Sequence, residues 1–346
     1  MSDAARNKAL IAPFVQALRN GDRAALGRAL AACFAADAAI HLCHPFGSHT
    51  GAKALDQQAL APLMRAMPDV ERRDWIMLAG QDDDDSAWVG CAGHYMGTFT
   101  APFLDIPPTG HLAHMRFHEF YRIAGGRIVE MQAIWDIPEL MMQAGAWPMA
   151  PSLGREFCIP GPMGQDGMSI NCDGSAARDL VIAMLTELSK HPSQGGPEIM
   201  QAERFWHPMV NWYGPAGIGT ARGIAGFRNW HQIPFLNAMP DRKGGTTGSL
   251  RCAFMAEGDY VGATGWPNME MTLSGDGWMG IAASGQQITM RSLDFWRIEG
   301  GLIRENWVLV DLLDVYRQIG VDVFARLREF NKARVPGVVP LPTELT

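Results

Sequence analysis

Between Arg116 and Ile123 the side chains alternate, with Arg116, His118, Phe120 and Arg122 on one side and Phe117, Glu119, Tyr121 and Ile123 on the other. The alternation predicts a strand. Ala124-Gly125-Gly126 supplies the permissive backbone of a hairpin turn, Ile128–Trp135 is the return strand, and a short amphipathic helix follows Asp136. The same pattern recurs 175 positions later in Arg291–Gly320, where Glu130 falls on Glu305, Asp136 on Asp311 and Gln143 on Gln318. A period the length of a domain predicts a tandem duplication rather than a solenoid.

Ahead of the first hairpin, Ile11, Phe14, Val15 and Leu18 share one helical face within residues 7–36. Asn20-Gly21-Asp22 breaks that run, and Asp22 suits the N-cap of a second helix. A strand over Ala38–Cys43, a loop at His44–Gly47 and a third helix over Ala54–Met67 come next. Arg73–Ala79 and Ser86–Thr98 predict a hairpin whose acidic tip, Asp82–Asp85, is expected to be solvated. Helices first and a run of strands afterwards indicate an α+β domain. From Ser175 the plan repeats, with helices over Ala177–Lys190, Pro197–Trp206 and Gly226–Met239, a strand over Met209–Tyr213, and a hairpin of Leu250–Ala256 with Tyr260–Trp266. The expected division is a first domain over 1–146, a Pro/Gly/Met-rich linker packed across the surface over 147–174, a second domain over 175–332 and a tail over 333–346.

A chain of 346 residues, 47% hydrophobic and 19% charged, has room for two ordinary globular cores. Its formal charge of −7 argues against a nucleic-acid partner. The first residues lack a basic start followed by an apolar run, and nothing reaches the length of a membrane span, so a cytoplasmic protein with no membrane partner is expected. The six cysteines form no C-x-x-C pair and read as reduced thiols. Neither a phosphate-cradling glycine loop nor a G-x-S-x-G elbow is present.

Gly97-Thr98-Phe99, Pro107–Gly110, the run Phe120–Glu130 (F-Y-R-I-x-G-G-R-I-V-E) and the terminal Asp…Gln-x-Gly together resemble the SnoaL-like polyketide cyclases, of the wider superfamily similar to nuclear transport factor 2. The resemblance covers both halves. It implies two tandem cone-shaped α+β barrels, each a curved antiparallel sheet wrapped on about three N-terminal helices around an apolar pocket. It also implies cofactor-free acid–base chemistry by a carboxylate at the end of the last strand, which is Asp136 in one half and Asp311 in the other. Related cones pair through their sheets, so internal pairing of the two domains and a possible homodimer are expected.

Centring the turn on Gly125 makes cross-strand residue numbers sum to about 250 and sets His114 opposite Asp136. A His–Asp couple can move protons, since each tunes the other; an Asp136 that merely caps the following helix is the alternative. Seven of the ten histidines lie between His41 and His118, and seven of the eleven tryptophans between Trp206 and Trp307. The first cone therefore reads as the active one and the second as binding or structural. Thr289 stands in the second half where His114 stands in the first.

Glu119 and the equivalent Asp294 fall beside apolar neighbours, where a carboxyl would be held as an acid; pairing with a nearby arginine is the plainer role. Arg116 and Arg291 could polarise a carbonyl. The resemblance makes His41, His44, Asn211, Trp212 and Tyr213 substrate contacts, and His94, Trp88, His118, Trp266 and Trp307 complete the candidate lining. His111, His114 and His118 invite a metal reading, but alternation splits them across faces and the resemblance implies neither metal nor cofactor. The function expected is a SnoaL-like cyclase or isomerase-type acid–base enzyme acting on an apolar polyketide-like or other carbonyl compound. A non-catalytic small-molecule binding protein is the rival, and dehydratase or epoxide hydrolase chemistry a further alternative.

Overall fold

Both hairpins form where the alternation predicts them. In the computed structural model, which describes residues 2–244 and 250–332, strand β5 (Leu112–Ala124) turns into β6 (Arg127–Trp135), and β14 (Ser292–Glu299) into β15 (Leu302–Val310). Each turn is a pair of glycines with positive φ, +57° and +72° at Gly125 and Gly126, a conformation side chains resist. A bulge after the turn shifts the register, so that Phe117 faces Trp135 and Arg122 faces Glu130. The arithmetic that set His114 opposite Asp136 assumed an unbulged ladder. The residue joined to Asp136 is instead Arg116, whose carbonyl accepts the Asp136 N–H at 2.8 Å.

The first sheet has the order β2-β1-β6-β5-β4-β3, with β1 (Phe34–Leu42), β2 (Gly47–Thr50), β3 (Glu71–Gln81) and β4 (Ala87–Thr98) completing it. The second has the order β10-β11-β14-β15-β7-β8, adding β7 (Trp206–Tyr213), β8 (Ala221–Arg222), β10 (Ala253–Glu257) and β11 (Tyr260–Thr264). Neither sheet is wholly antiparallel, because β1 runs parallel to β6 and β7 parallel to β15. Both remain open, so the cones are curved mixed sheets rather than closed barrels. Three short strands that the sequence pattern does not signal, β9 (Lys243–Gly244), β12 (Met269–Thr272) and β13 (Gln287–Met290), make a small third sheet beside the second cone.

Helices Asp3–Arg19 and Arg23–Cys33 open the first unit, and Asp22 caps the second of them by accepting the Ala25 N–H at 2.9 Å. The third, over 52–66, and its counterpart over 223–238 each contain one wide turn, Asp56–Leu60 and Arg228–Gln232. Pro197–Met200 and Ala202–Arg204 are only tight single turns where a helix is expected. Beyond the closing helix Leu312–Gln318 lies a further helix, Val323–Asn331, capped by Asp322; the expected tail over 333–346 lies outside the described residues. At the acidic tip Asp83, Asp84 and Asp85 are exposed as expected, and Asp82 alone departs. Asp82 is buried and closes the turn, accepting the Asp84 and Ser86 N–H groups and the Trp88 indole.

One face of each sheet covers its own helices. The other faces lie against each other, with Phe120 stacked on Phe295 at 4.9 Å between centroids. Gly90 and Gly262 leave room for that stack, since a Cβ on Gly90 would stand 2.7 Å from the Phe120 ring. The Nδ1 atom of His118 meets the Leu293 carbonyl at 2.6 Å, and the Thr264 hydroxyl meets Gln132 at 2.6 Å. Residues 147–174 run along this seam: the Pro160 carbonyl accepts the Trp307 indole and Asp166 accepts the Tyr260 hydroxyl. The central strands are thus covered on both faces, which is why their apolar content exceeds that of a half-exposed hairpin.

Candidate functional site

Asp136 sits at the end of β6 with both neighbours fixed. It accepts from the Arg116 guanidinium at 3.2 Å and from the Ala216 N–H of the second unit at 3.0 Å. Arg116 also donates to the Tyr213, Gly214 and Val308 carbonyls, at 3.2, 2.6 and 3.2 Å. Asp311 repeats the arrangement, paired with Arg291 at 3.0 Å and accepting the His44 N–H at 3.0 Å. Burial, against the pull of the arginines, pushes both carboxyls up to about 7. Asp136 makes no cap bond to its helix, whereas Asp311 does, to Asp314.

His114 pairs with Glu139, at 3.4 Å, and not with Asp136. Burial opposes its charge, but hydrogen bonds to Cys158 and Glu139 outweigh it and raise it to about 10. His94 is driven down to about 4 and His118 well below its ordinary value, both chiefly by burial. Arg116, His118 and His94 share the outer face of the first sheet, since His94 lies across the ladder from Arg116. Trp88 follows on that face. From the second unit, Tyr213 stacks on Trp307 at 5.4 Å and accepts from Asn211, while Trp266 lies under Arg291 and near His41. The histidine-rich set therefore lines the seam between sheets rather than the inside of the first cone. Alternation identifies two faces, but not which is concave.

Inside the first cone stands Glu119. Its carboxylate takes the Arg72 guanidinium at 2.5 Å, the Tyr95 hydroxyl at 3.0 Å, the Trp135 indole at 2.9 Å and the Tyr121 hydroxyl. All five residues are buried. A carboxylate held by four donors, one of them a cation that itself also pairs with Asp74, has its acceptor positions filled and is closed to further partners.

The second cone has replaced that network. At the positions of Phe117, Glu119, Tyr121 and Trp135 it carries Ser292, Asp294, Trp296 and Val310, and a cavity of about 130 Å³ opens between them and the helices. Among the described residues Asp294 has one hydrogen-bond partner there, the Ser292 hydroxyl at 2.6 Å. Burial pushes its carboxyl up to about 7, the Ser292 bond opposing. Trp212 and His231 form a flat wall, stacked at 4.0 Å, and burial holds His231 neutral, at about 3. Trp206, Gln232, Asn306 and Arg242 add further polar groups to the lining. Of the cavity's residues, Asp294 and Trp212 are the candidates expected from the sequence. The available signal for His231 was its spacing, four residues from both Phe227 and Phe235 on one helix face.

Among the described residues no group of three or more His, Cys, Asp or Glu side chains is placed to hold a metal ion, and no helix is long and apolar enough to cross a membrane. No curated protein matches the chain. Solved structures similar to one unit include IdmH, a candidate polyketide cyclase from Streptomyces antibioticus, at 24% identity over 40% of this chain and 98% of that one, with a TM-score of 0.34. AclR, a candidate hydroxylase from Streptomyces galilaeus, is 19% identical over 41% and 96%, with a TM-score of 0.34. A candidate SnoaL-like polyketide cyclase from Jannaschia Sp. CCS1 is 15% identical over 41% and 94%, with a TM-score of 0.36. The family model of the SnoaL-like polyketide cyclases matches residues 10–144 and again 197–319, together more than half of the chain. Two cones built on one plan, each matched by that model, make this chain a tandem member of the SnoaL-like polyketide cyclase family.

Proposed function

We propose that the chain is an acid–base enzyme acting on a small apolar carbonyl compound of polyketide-like kind, with its working pocket in the second cone and Asp294 as the proton carrier. One observation carries this reading: the Asp294 carboxyl lines a cavity with a single hydrogen-bond partner among the described residues and is lifted to about 7 by burial. A group poised near neutrality can take a proton from the carbon beside a carbonyl and return it within one cycle. Ser292 fixes the carboxyl's orientation. The pocket is assigned to the second cone rather than the first because Glu119 is already saturated by donors. Asp136 and Asp311 are assigned to holding the two units together, since each binds a loop N–H across the seam.

The test is proton exchange at the α-carbon of small cyclic ketones in heavy water, followed by NMR. Wild type should exchange at least a hundredfold faster than Asp294→Asn, the usual scale for a positioned acid–base group. A second reading, a non-catalytic binding protein, draws on the Trp and Met lining of the same cavity. It is the one that stands if ketones occupy the cavity and wild type exchanges their protons no faster than buffer.

A further inference from the structure

Four polar atoms at the cavity of the second cone have no hydrogen-bond partner among the described residues: Nε1 of Trp206, Nε1 of Trp296, Nδ1 of His231 and Oε1 of Gln232. Trp206, Trp296 and Gln232 are at least nine-tenths buried. Each unmet group costs about 1–3 kcal/mol, so several around one cavity describe what would satisfy them. An indole N–H can only donate. Two such donors share the cavity with Arg242, whose guanidinium reaches only the Leu188 carbonyl, at 3.4 Å, and pairs with no carboxylate among the described residues. A cation and two neutral donors around one small space favour an oxygen bearing negative charge. The Trp212–His231 wall favours a flat ring, and a neutral imidazole there does not repel it.

We propose that the second cone binds a planar single-ring oxyanion, the enolate of a cyclic 1,3-dicarbonyl or a phenolate of similar size. Its charged oxygen accepts from the Trp206 and Trp296 indoles, and Arg242 offsets the charge. Ring size follows from volume, since 130 Å³ is close to the roughly 150 Å³ of an apolar protein cavity that holds one benzene. The proposal rests on the reading of this cone as the working pocket. It also fits a proton balance: the proton leaving the ring carbon goes to the Asp294 carboxylate, and the C–H electron pair becomes the enolate, whose charge settles on the oxygen facing the donors.

The experiment uses the full chain with ¹⁵N-labelled tryptophan, titrated with 1,3-cyclohexanedione and, separately, with cyclohexanone. The dione supplies the enolate and the ketone the same ring without it. The indole signals of Trp206 and Trp296 are assigned from their Trp→Phe variants. The dione should bind at least about tenfold more tightly and move both signals, and Arg242→Met should bring the two affinities within about threefold, as expected for one charge-assisted contact. Equal affinity for the two rings, or dione binding that moves neither indole, overturns the oxyanion assignment and leaves the cavity as the working pocket. If neither ring shifts any signal from the cavity's tryptophans, both readings fall.

Discussion

The Asp136 carboxylate accepts the Ala216 N–H across the seam at 3.0 Å, and this bond has a twin in the one from His44 to Asp311. Ala39 lies beside Glu130 as Asn211 lies beside Glu305, so His44 and Ala216 hold the same place after their strands. Each unit's last strand thus ends in a carboxylate that ties down the other unit's first loop.

Asp136→Ala should therefore act on stability. It strands the fully buried Arg116 guanidinium without a counter-charge, a loss of about 3–5 kcal/mol on the scale of broken buried pairs. Asp311→Ala should cost less, because the Arg291 side chain keeps 23% of its exposure and also lies near Asp314. Guanidinium chloride denaturation measures both. An Asp136→Ala variant of unchanged stability that has lost proton exchange would return Asp136 to the catalytic role.

Glu119→Gln should be destabilising and leave ligand capture by the second cone intact. The amide cannot balance Arg72, which is buried among Tyr95, Tyr121 and the Phe117 ring and keeps Asp74 as its remaining carboxylate partner. A loss of about 1–3 kcal/mol is expected. Thermal melting, with and without a cavity ligand, separates the two effects: the melting point drops and the ligand-induced rise persists.

The Asp294 carboxyl, raised to about 7 from an unfolded value of roughly 3.9, binds a proton in the folded chain that the unfolded chain has released. Its contribution to stability is complete below about pH 4 and is lost as pH rises through about 7. Asn at that position has no such dependence. Between about pH 5 and about pH 8 the stability difference should move by about 2–3 kcal/mol in favour of Asp294→Asn. Paired denaturation curves at the two pH values measure the shift.

Gly90→Val should loosen the seam. Its Cβ would fall 2.7 Å from the Phe120 ring and 3.1 Å from Phe295, so the stack must open. Overpacking of this kind costs about 1–3 kcal/mol. Protection from hydrogen exchange should fall first at the amides of β4 and β14.

The duplication, the hairpins, the Asp22 cap and the family were legible because they rest on local spacing. Facing was not. Arg116, His118 and Phe120 share one side of a strand whichever way the sheet curves, and only packing against Leu293 and Phe295 makes that side the seam. Register was lost in two single steps, a turn centred between Gly125 and Gly126 rather than on Gly125 and then one bulge, which together trade His114 for Arg116 as the neighbour of Asp136. Glu119 and Asp294 were legible as equivalents, but not their divergence. That depends on Arg72 and Tyr95, which reach Glu119 from 47 and 24 residues away.

Joining the two sheets in one polypeptide has a consequence for change itself. In a symmetric pair of identical subunits, any substitution appears twice, once on either side of the axis, and must be tolerated in both places. Here His118 can face Leu293, and a sealed cone can adjoin a hollow one, because the two copies are written separately. One half can keep a packed carboxylate network while the other keeps an empty space, and neither has to serve both ends at once.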